Sequence, residues 1–193
     1  MSVNNFEIRA DYNQDTIVVY QAYSPLIAKP ALEQQQFVPP FLFTRMTWIK
    51  PSFLWMMERS GYAGKAGQEH VLSIRLRRTA WEYVLSQAVL THAHDMYKDG
   101  WEERKKNARV NVQWDPERSI KGAKLNYRSI QVGISRHLIG EYNSWIVEIA
   151  DYTQLAHKIF ALKQQGDYSR ATALLPIEKP YPLGQELQKI LGM

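Results

Sequence analysis

Residues 41–63 read FLFTRMTWIKPSFLWMMERSGYA, and the fold turns on how this stretch divides. The second half, SFLWMMER from Ser52 to Arg59, reads as a short, largely buried helix. Pro51 suits its first position, where a missing N–H has no partner to lose. Ser60-Gly61 suits its stop. The first half delivers Arg45, Thr47, Trp48 and Lys50 onto the start of that helix. A helix N-terminus flanked by Arg45 and Lys50 is a ready site for an anion such as a phosphate. The same residues equally suit a core helix entered by a loop whose basic side chains are solvated.

Upstream, Thr16-Ile-Val-Val19 begins a β-favouring run that reaches Tyr23. Its nearly continuous apolar character predicts a strand covered on both faces, spanning Asp15 to Ser24. Ser24-Pro25 starts a helix, PLIAKPALEQQQ, in which Pro30 predicts a kink or a split. Downstream, the glycines and alanines of residues 61–68 predict a mobile loop. His70 to Arg77 reads as a half-buried strand with Ser73, Arg75 and Arg77 on its polar side. Trp81 to Val89 reads as an amphipathic helix, and Asp99 to Lys106 as a charged, exposed segment. Val110 to Asp115 is a short strand closing in the turn Asp115-Pro116. Tyr127 to Ile134 alternates strictly, with Ile130, Val132 and Ile134 on one side and Ser129, Gln131 and Gly133 on the other. A turn of helix at 136–142, an apolar segment at 145–149 and helices at 152–164 and 168–175 follow, then a tail ending in QELQKIL. The whole reads as a single α+β domain over residues 1–193, with a C-terminal helical extension from about residue 151.

The length of 193 residues suits one domain with a real core. The chain has no cysteine, which removes disulfides, thiolate zinc sites and cysteine nucleophiles. With neither a signal-like N-terminus nor a long apolar run, a cytoplasmic protein without membrane association is expected. The net charge is +5, and residues 98–137, with ten basic and five acidic groups, carry the whole excess. A local cationic segment suits phosphate-bearing partners, or simply a solvated surface. Arg104, Lys105, Lys106 and Arg109 are its candidate nucleic-acid contacts.

No Walker loop, dinucleotide-binding glycine motif or serine-hydrolase elbow is present. His92, His94 and Asp95 invite a metal reading, but residues two apart on a helix diverge and no third ligand follows, so no metal is expected. More suggestive are Ser129 and Gln131 on one face of an otherwise apolar strand, with Gln113 and Asp115 ending another in the same manner. These amides pair with water, with each other, or with a ligand. Trp48, Tyr20 and Tyr23 are of a type that stacks on a base or a nicotinamide, whereas Trp55 is assigned to the core.

RMTWIKPSFLWMMERSGYA and TIVVYQAYSPLIA, together with VQWDPER and RSIQVGI, resemble the domain-of-unknown-function family 4291 over nearly the whole chain. A second resemblance says more about chemistry. Val19-Tyr20-Gln21-Ala22-Tyr23-Ser24, a following helix with Ala28 and Leu32, and then Phe37 are similar to the opening of ADP-ribosyltransferases and RNA 2′-phosphotransferases. Gln21 falls where that superfamily has its NAD-gripping histidine. Met46-Thr47-Trp48 is similar to its serine–threonine–serine motif, with Thr47 the surviving hydroxyl. Gln131 falls where it carries the catalytic glutamate or glutamine, without a nearby acid in the usual arrangement. The resemblance implies split antiparallel sheets flanked by helices. It implies NAD as substrate, with Gln131 and Thr47 catalytic, and Gln21, Tyr20, Tyr23, Arg45, Trp48 and Lys50 binding NAD. The function expected is an NAD-dependent ADP-ribosyltransferase-like enzyme acting on a nucleic acid. The alternative is a non-catalytic module that binds nucleic acid or a nucleotide in the same cleft.

Overall fold

The β-branched run from Thr16 lies in β2 (Thr16–Tyr23), an eight-residue strand covered on both faces. Ile17 and Val19 enter one core cluster, and Val18 and Tyr20 enter another. That double burial is why the run is apolar almost without interruption. The computed structural model describes residues 5–92 and 100–193. In chain order, β1 (Arg9–Ala10) and β2 are followed by α1 (Pro25–Gln34), β3 (Thr47–Ile49), α2 (Phe53–Ser60), β4 (His70–Arg77) and α3 (Arg78–Ser86). Next come β5 (Ala88–Leu90), α4 (Trp101–Lys106), β6 (Val110–Arg118), β7 (Lys124–Ile134) and α5 (Ile139–Ser144). The chain ends with β8 (Ile146–Asp151), α6 (Thr153–Gln164), α7 (Tyr168–Ala173), β9 (Lys179–Pro180) and α8 (Gln185–Ile190).

These strands form a mixed α+β domain with split sheets. One has the order β2-β4-β8 and is antiparallel. The second has the order β3-β7-β6-β5, antiparallel except for the parallel β5–β6 pair. A short β1–β9 pair ties the C-terminal segment to the N-terminal one. The two larger sheets meet where the backbones of Tyr20 and Lys50 pair. The main core lies between them and includes Ile49, Ile74, Trp81, Val132 and Tyr142. A second cluster seats α2 and α6 on the far face of β2, through Phe53, Met57, Ala156 and Ile159. The C-terminal region is bound into the first core: Tyr181 and Leu191 are buried, and the Trp114 indole donates to the Leu191 carbonyl at 2.9 Å.

Several boundaries differ from the sequence expectation, each for a local reason. Pro51 is not the first residue of α2. Ser52 is the N-cap, its Oγ accepting the Trp55 amide at 3.1 Å, so the helix begins at Phe53. Gly61 closes it at φ 59°, a left-handed geometry that glycine adopts without penalty. Pro30 does not split α1, which runs unbroken past it with Ala28 and Ala31 buried. At that depth its missing N–H forfeits a single helical bond. The helix expected to reach Val89 stops at Ser86, because Ala88–Leu90 pair with Val110–Val112. Strand β6 runs through Pro116 instead of turning there. The ladder shifts register between Pro116 and Arg118, a bulge position that tolerates a residue with no N–H. Residues 61–68, expected to be mobile, form a chain of turns closed by backbone bonds such as Lys65 N–H to the Ser60 carbonyl at 3.1 Å.

Candidate functional site

Alternation along the β3–β7–β6 ladder sorts the side chains of that sheet. Ile49, Ile130, Val132, Ile134, Val110 and Val112 turn into the core. The intervening residues pair across the other face: Trp48 with Gly133, Gln113 with Gln131, and Asp115 with Ser129. Trp48, Lys50, Gln113, Asp115 and Gln131 line a cleft of about 740 Å³, together with Gln21, Tyr23, Thr47, Trp55 and Arg59. Its volume is within the usual range for small-molecule sites.

Gln21 is the hub of one wall. It is 2% exposed, and its amide nitrogen lies 2.6 Å from Thr47 Oγ1, 2.8 Å from the Tyr23 hydroxyl and 3.1 Å from the Trp48 carbonyl. Its Oε1 accepts the Tyr142 hydroxyl at 2.8 Å. Two N–H groups facing three acceptors leave the amide with no spare donor for a ligand. Gln21 therefore fixes Thr47, Tyr23 and the β3 backbone in place. The Tyr23 hydroxyl lies 2.8 Å from Thr47 Oγ1, and burial pushes its pKa up to about 12, so it stays neutral.

The floor carries an acid that sequence reasoning did not assign to the site. Asp115 accepts the Gln131 amide on Oδ2 at 2.7 Å and the Gln113 amide on Oδ1 at 2.8 Å. With Gln131 Nε2 held in this way, its carbonyl oxygen remains to meet a ligand hydroxyl. Period-two alternation carries the signal: Asp115 lies two residues along β6 from Gln113, the cross-strand partner of Gln131, so its side chain falls on the same face.

Lys50 forms the opposite wall. It is 4% exposed, and its ammonium sits 4.5 Å from the centre of the Trp55 ring, a cation–π contact. Burial first, and then Arg59, lower its pKa to about 8, against a smaller upward pull from Asp115. Trp55 is only half-buried and faces the cleft, which corrects its assignment to the core. Trp55 and Arg59 are four residues apart, hence on one face of α2. That spacing was the legible sign of Arg59.

Of the two readings the sequence left open, the N-terminus of α2 fits the core helix, because its first and third amides are already taken. Its first amide, Phe53 N–H, donates to Glu178 Oε1 at 2.7 Å, and the next-but-one donates to Ser52 Oγ. Ser52 Oγ in turn donates to Glu117 Oε1 at 2.9 Å. Glu178 takes the first amide an incoming phosphate would need, and Ser52, backed by Glu117, takes the third. Burial raises the pKa of both carboxylates, that of Glu178 to about 8.

The remaining expected residues lie elsewhere. Tyr20 is fully buried against Phe53, at 5.4 Å between ring centroids, on the α2 side of β2. Its side chain does not reach the cleft, and its backbone is what holds Lys50. Arg45 is exposed in the turn before β3 and does not line the cleft. Of the basic segment, Arg104 and Lys106 are exposed on α4. Lys105 sits 4.5 Å over the Trp101 ring, and Arg109 pairs with Glu141 at 3.0 Å. Lys105 and Lys106 line a second groove of about 750 Å³ with Asn111, Glu102 and Glu103, and Trp48 is shared between this groove and the cleft. Among the described residues no three metal-ligating side chains converge, and His94 and Asp95 lie outside those residues. Nor is any described helix long and apolar enough to cross a membrane.

The fold and site thus define a mixed α+β domain whose two sheets meet at one polar cleft with an amide–carboxylate floor. The chain belongs to the family described as Domain of unknown function (DUF4291), whose model matches residues 7–181. Comparison with curated proteins finds no match.

Proposed function

We propose that the cleft binds NAD and that the protein is an ADP-ribosyltransferase-like enzyme. The observation that carries this reading is that Gln21, Thr47 and Gln131, expected from distant parts of the chain to act together, line one cleft. Tyr23 and Trp48 flank the nicotinamide, and Gln131 orients the ribose through a hydroxyl. The bond from ribose C1′ to the nicotinamide nitrogen breaks and its electron pair leaves with nicotinamide. The cationic sugar that results is stabilised by the Asp115 carboxylate, fixed beforehand by Gln113 and Gln131. An acceptor oxygen or nitrogen then adds to C1′ and loses its proton. The groove on the far side of Trp48 supports approach of a nucleic-acid acceptor, with Lys105 and Lys106 toward its phosphates.

Incubation with labelled NAD, with DNA, RNA and protein as acceptors, tests the proposal. Nicotinamide release is expected, and it should fall about 100-fold or more in Gln131→Ala and in Asp115→Asn. Absence of release, of transfer and of any NAD-induced thermal shift would refute it. The groove beside α4 also favours a second reading, a non-catalytic nucleic-acid module. In that case Lys105→Ala with Lys106→Ala weakens binding and flattens its salt dependence.

A further inference from the structure

The cleft holds two cations that share a wall and have no carboxylate to themselves. Lys50 is almost fully enclosed, and the charged groups acting on it are Arg59 from α2 and Asp115 from β6. Asp115 is already engaged by two amide donors. Arg59 is exposed and lines the same cleft. An enclosed ammonium beside a guanidinium is electrostatically unfavourable until an anion joins them. The Trp55 ring, beneath the ammonium, relieves this only in part.

We propose that Lys50 and Arg59 form a subsite for the diphosphate of a nucleotide, seated over Trp55. The identity of the ligand as a nucleotide rests on the NAD reading, whereas the anion site itself rests on these two side chains. It moves the phosphate contact off the α2 N-terminus and Arg45, keeps Lys50, and adds Arg59 from the last turn of α2. A guanidinium offers a diphosphate paired, planar donors, and an ammonium a point charge.

Proton linkage follows from this arrangement. In the free protein Lys50 titrates near pH 8, depressed by burial and by Arg59. A bound anion supplies the opposite charge and raises that value, so binding takes up a proton. Affinity is therefore level at lower pH and falls as pH rises through about 8.

Calorimetric titration with inorganic pyrophosphate tests the subsite. Carried out near pH 8 in two buffers of different ionisation heat, it reads proton uptake directly. Pyrophosphate itself titrates just above this pH, so the reading is the difference between proteins: the native protein should take up a fraction of a proton more than Lys50→Arg, which keeps the anion but does not titrate in this range. Arg59→Gln should weaken binding about tenfold or more, with an unchanged melting temperature as the control for folding. Parallel titrations with phosphate, ADP and NAD separate a free-phosphate site from a nucleotide one. Pyrophosphate and ADP binding without NAD binding would keep this subsite and sink the NAD reading. NAD binding that is indifferent to Arg59→Gln would keep the NAD reading and overturn the subsite. No pyrophosphate binding, or the same proton exchange in the native protein and in Lys50→Arg, would also overturn it.

Discussion

Replacing Glu178 by glutamine tests whether the α2 N-terminus is closed by the protein itself. In the native chain Glu178 Oε1 accepts the Phe53 amide at 2.7 Å, and burial, together with the nearby Glu117 carboxylate, pushes its pKa up to about 8. An unfolded glutamate titrates near 4.3. The native value lies above the unfolded one, so folding favours the protonated form. The stabilisation is fully present below about pH 4 and is lost as pH rises through about 8. At about 1.4 kcal/mol per pH unit, the ceiling on this loss is about 5 kcal/mol. Glu178 as a whole is only half-buried, just before β9, so solvent screens part of that and about 2 kcal/mol is the working figure. Glutamine keeps the acceptor oxygen for Phe53 and cannot ionise. Glu178→Gln should therefore match the native protein near pH 5 and exceed it by about 2 kcal/mol near pH 9, or roughly 4–8 °C in melting temperature. Urea denaturation followed by tryptophan fluorescence at both pH values reads the difference. A gap that is the same at the two ends of the pH range would refute the buried-carboxylate account.

Two further predictions concern the walls of the cleft. Tyr142→Phe removes the donor to Gln21 Oε1 in a fully buried site and should cost about 1–3 kcal/mol in denaturant unfolding, an unsatisfied acceptor being left behind; no loss would show that Gln21 does not depend on Tyr142. At Gly133 an added Cβ would lie 2.8 Å from Met46 Sδ and 2.9 Å from two atoms of the Trp48 ring. Gly133→Ala should therefore displace Trp48, cost about 1–3 kcal/mol and shift the tryptophan emission, and an unchanged spectrum and stability would refute that contact.

The alternating strands were the most legible part of the fold. Gln131 and Ser129 on one face of β7, with Ile130 and Val132 on the other, follow from period-two geometry alone, and Gln131 of that polar face lies in the cleft floor. Asp115 was legible as a polar strand end beside Gln113, but not as the acid that holds Gln131, because the register that sets β6 against β7 is not written in either strand alone. The closure of α2 was hidden by distance. Phe53 and Glu178 are 125 positions apart, and Tyr142 and Gln21 are 121 apart, so no local pattern links either pair. Arg45 and Arg59 carry the same charge and flank the same segment. The four-residue spacing puts Arg59 on the face of Trp55, and the packing of α2 turns that face toward Lys50.

That packing also separates two titrations that fall in the same pH range. Glu178 and Lys50 both change charge near pH 8, one gaining a negative charge and the other losing a positive one. The charges acting on Lys50 come from Arg59 and Asp115, on the cleft side of α2. Those acting on Glu178 include Glu117, Arg9 and Asp11, around the β1–β9 pair. A single bulk titration of the protein would merge the two events. Substitution resolves them, because Glu178→Gln alters stability against pH while leaving the proton taken up with pyrophosphate in place. Lys50→Arg removes that uptake and leaves the Glu178 contribution to stability in place. If Glu178→Gln abolished the uptake, the proton would belong to the α2 N-terminus, and the anion site would return to the end of the helix where the sequence first suggested it.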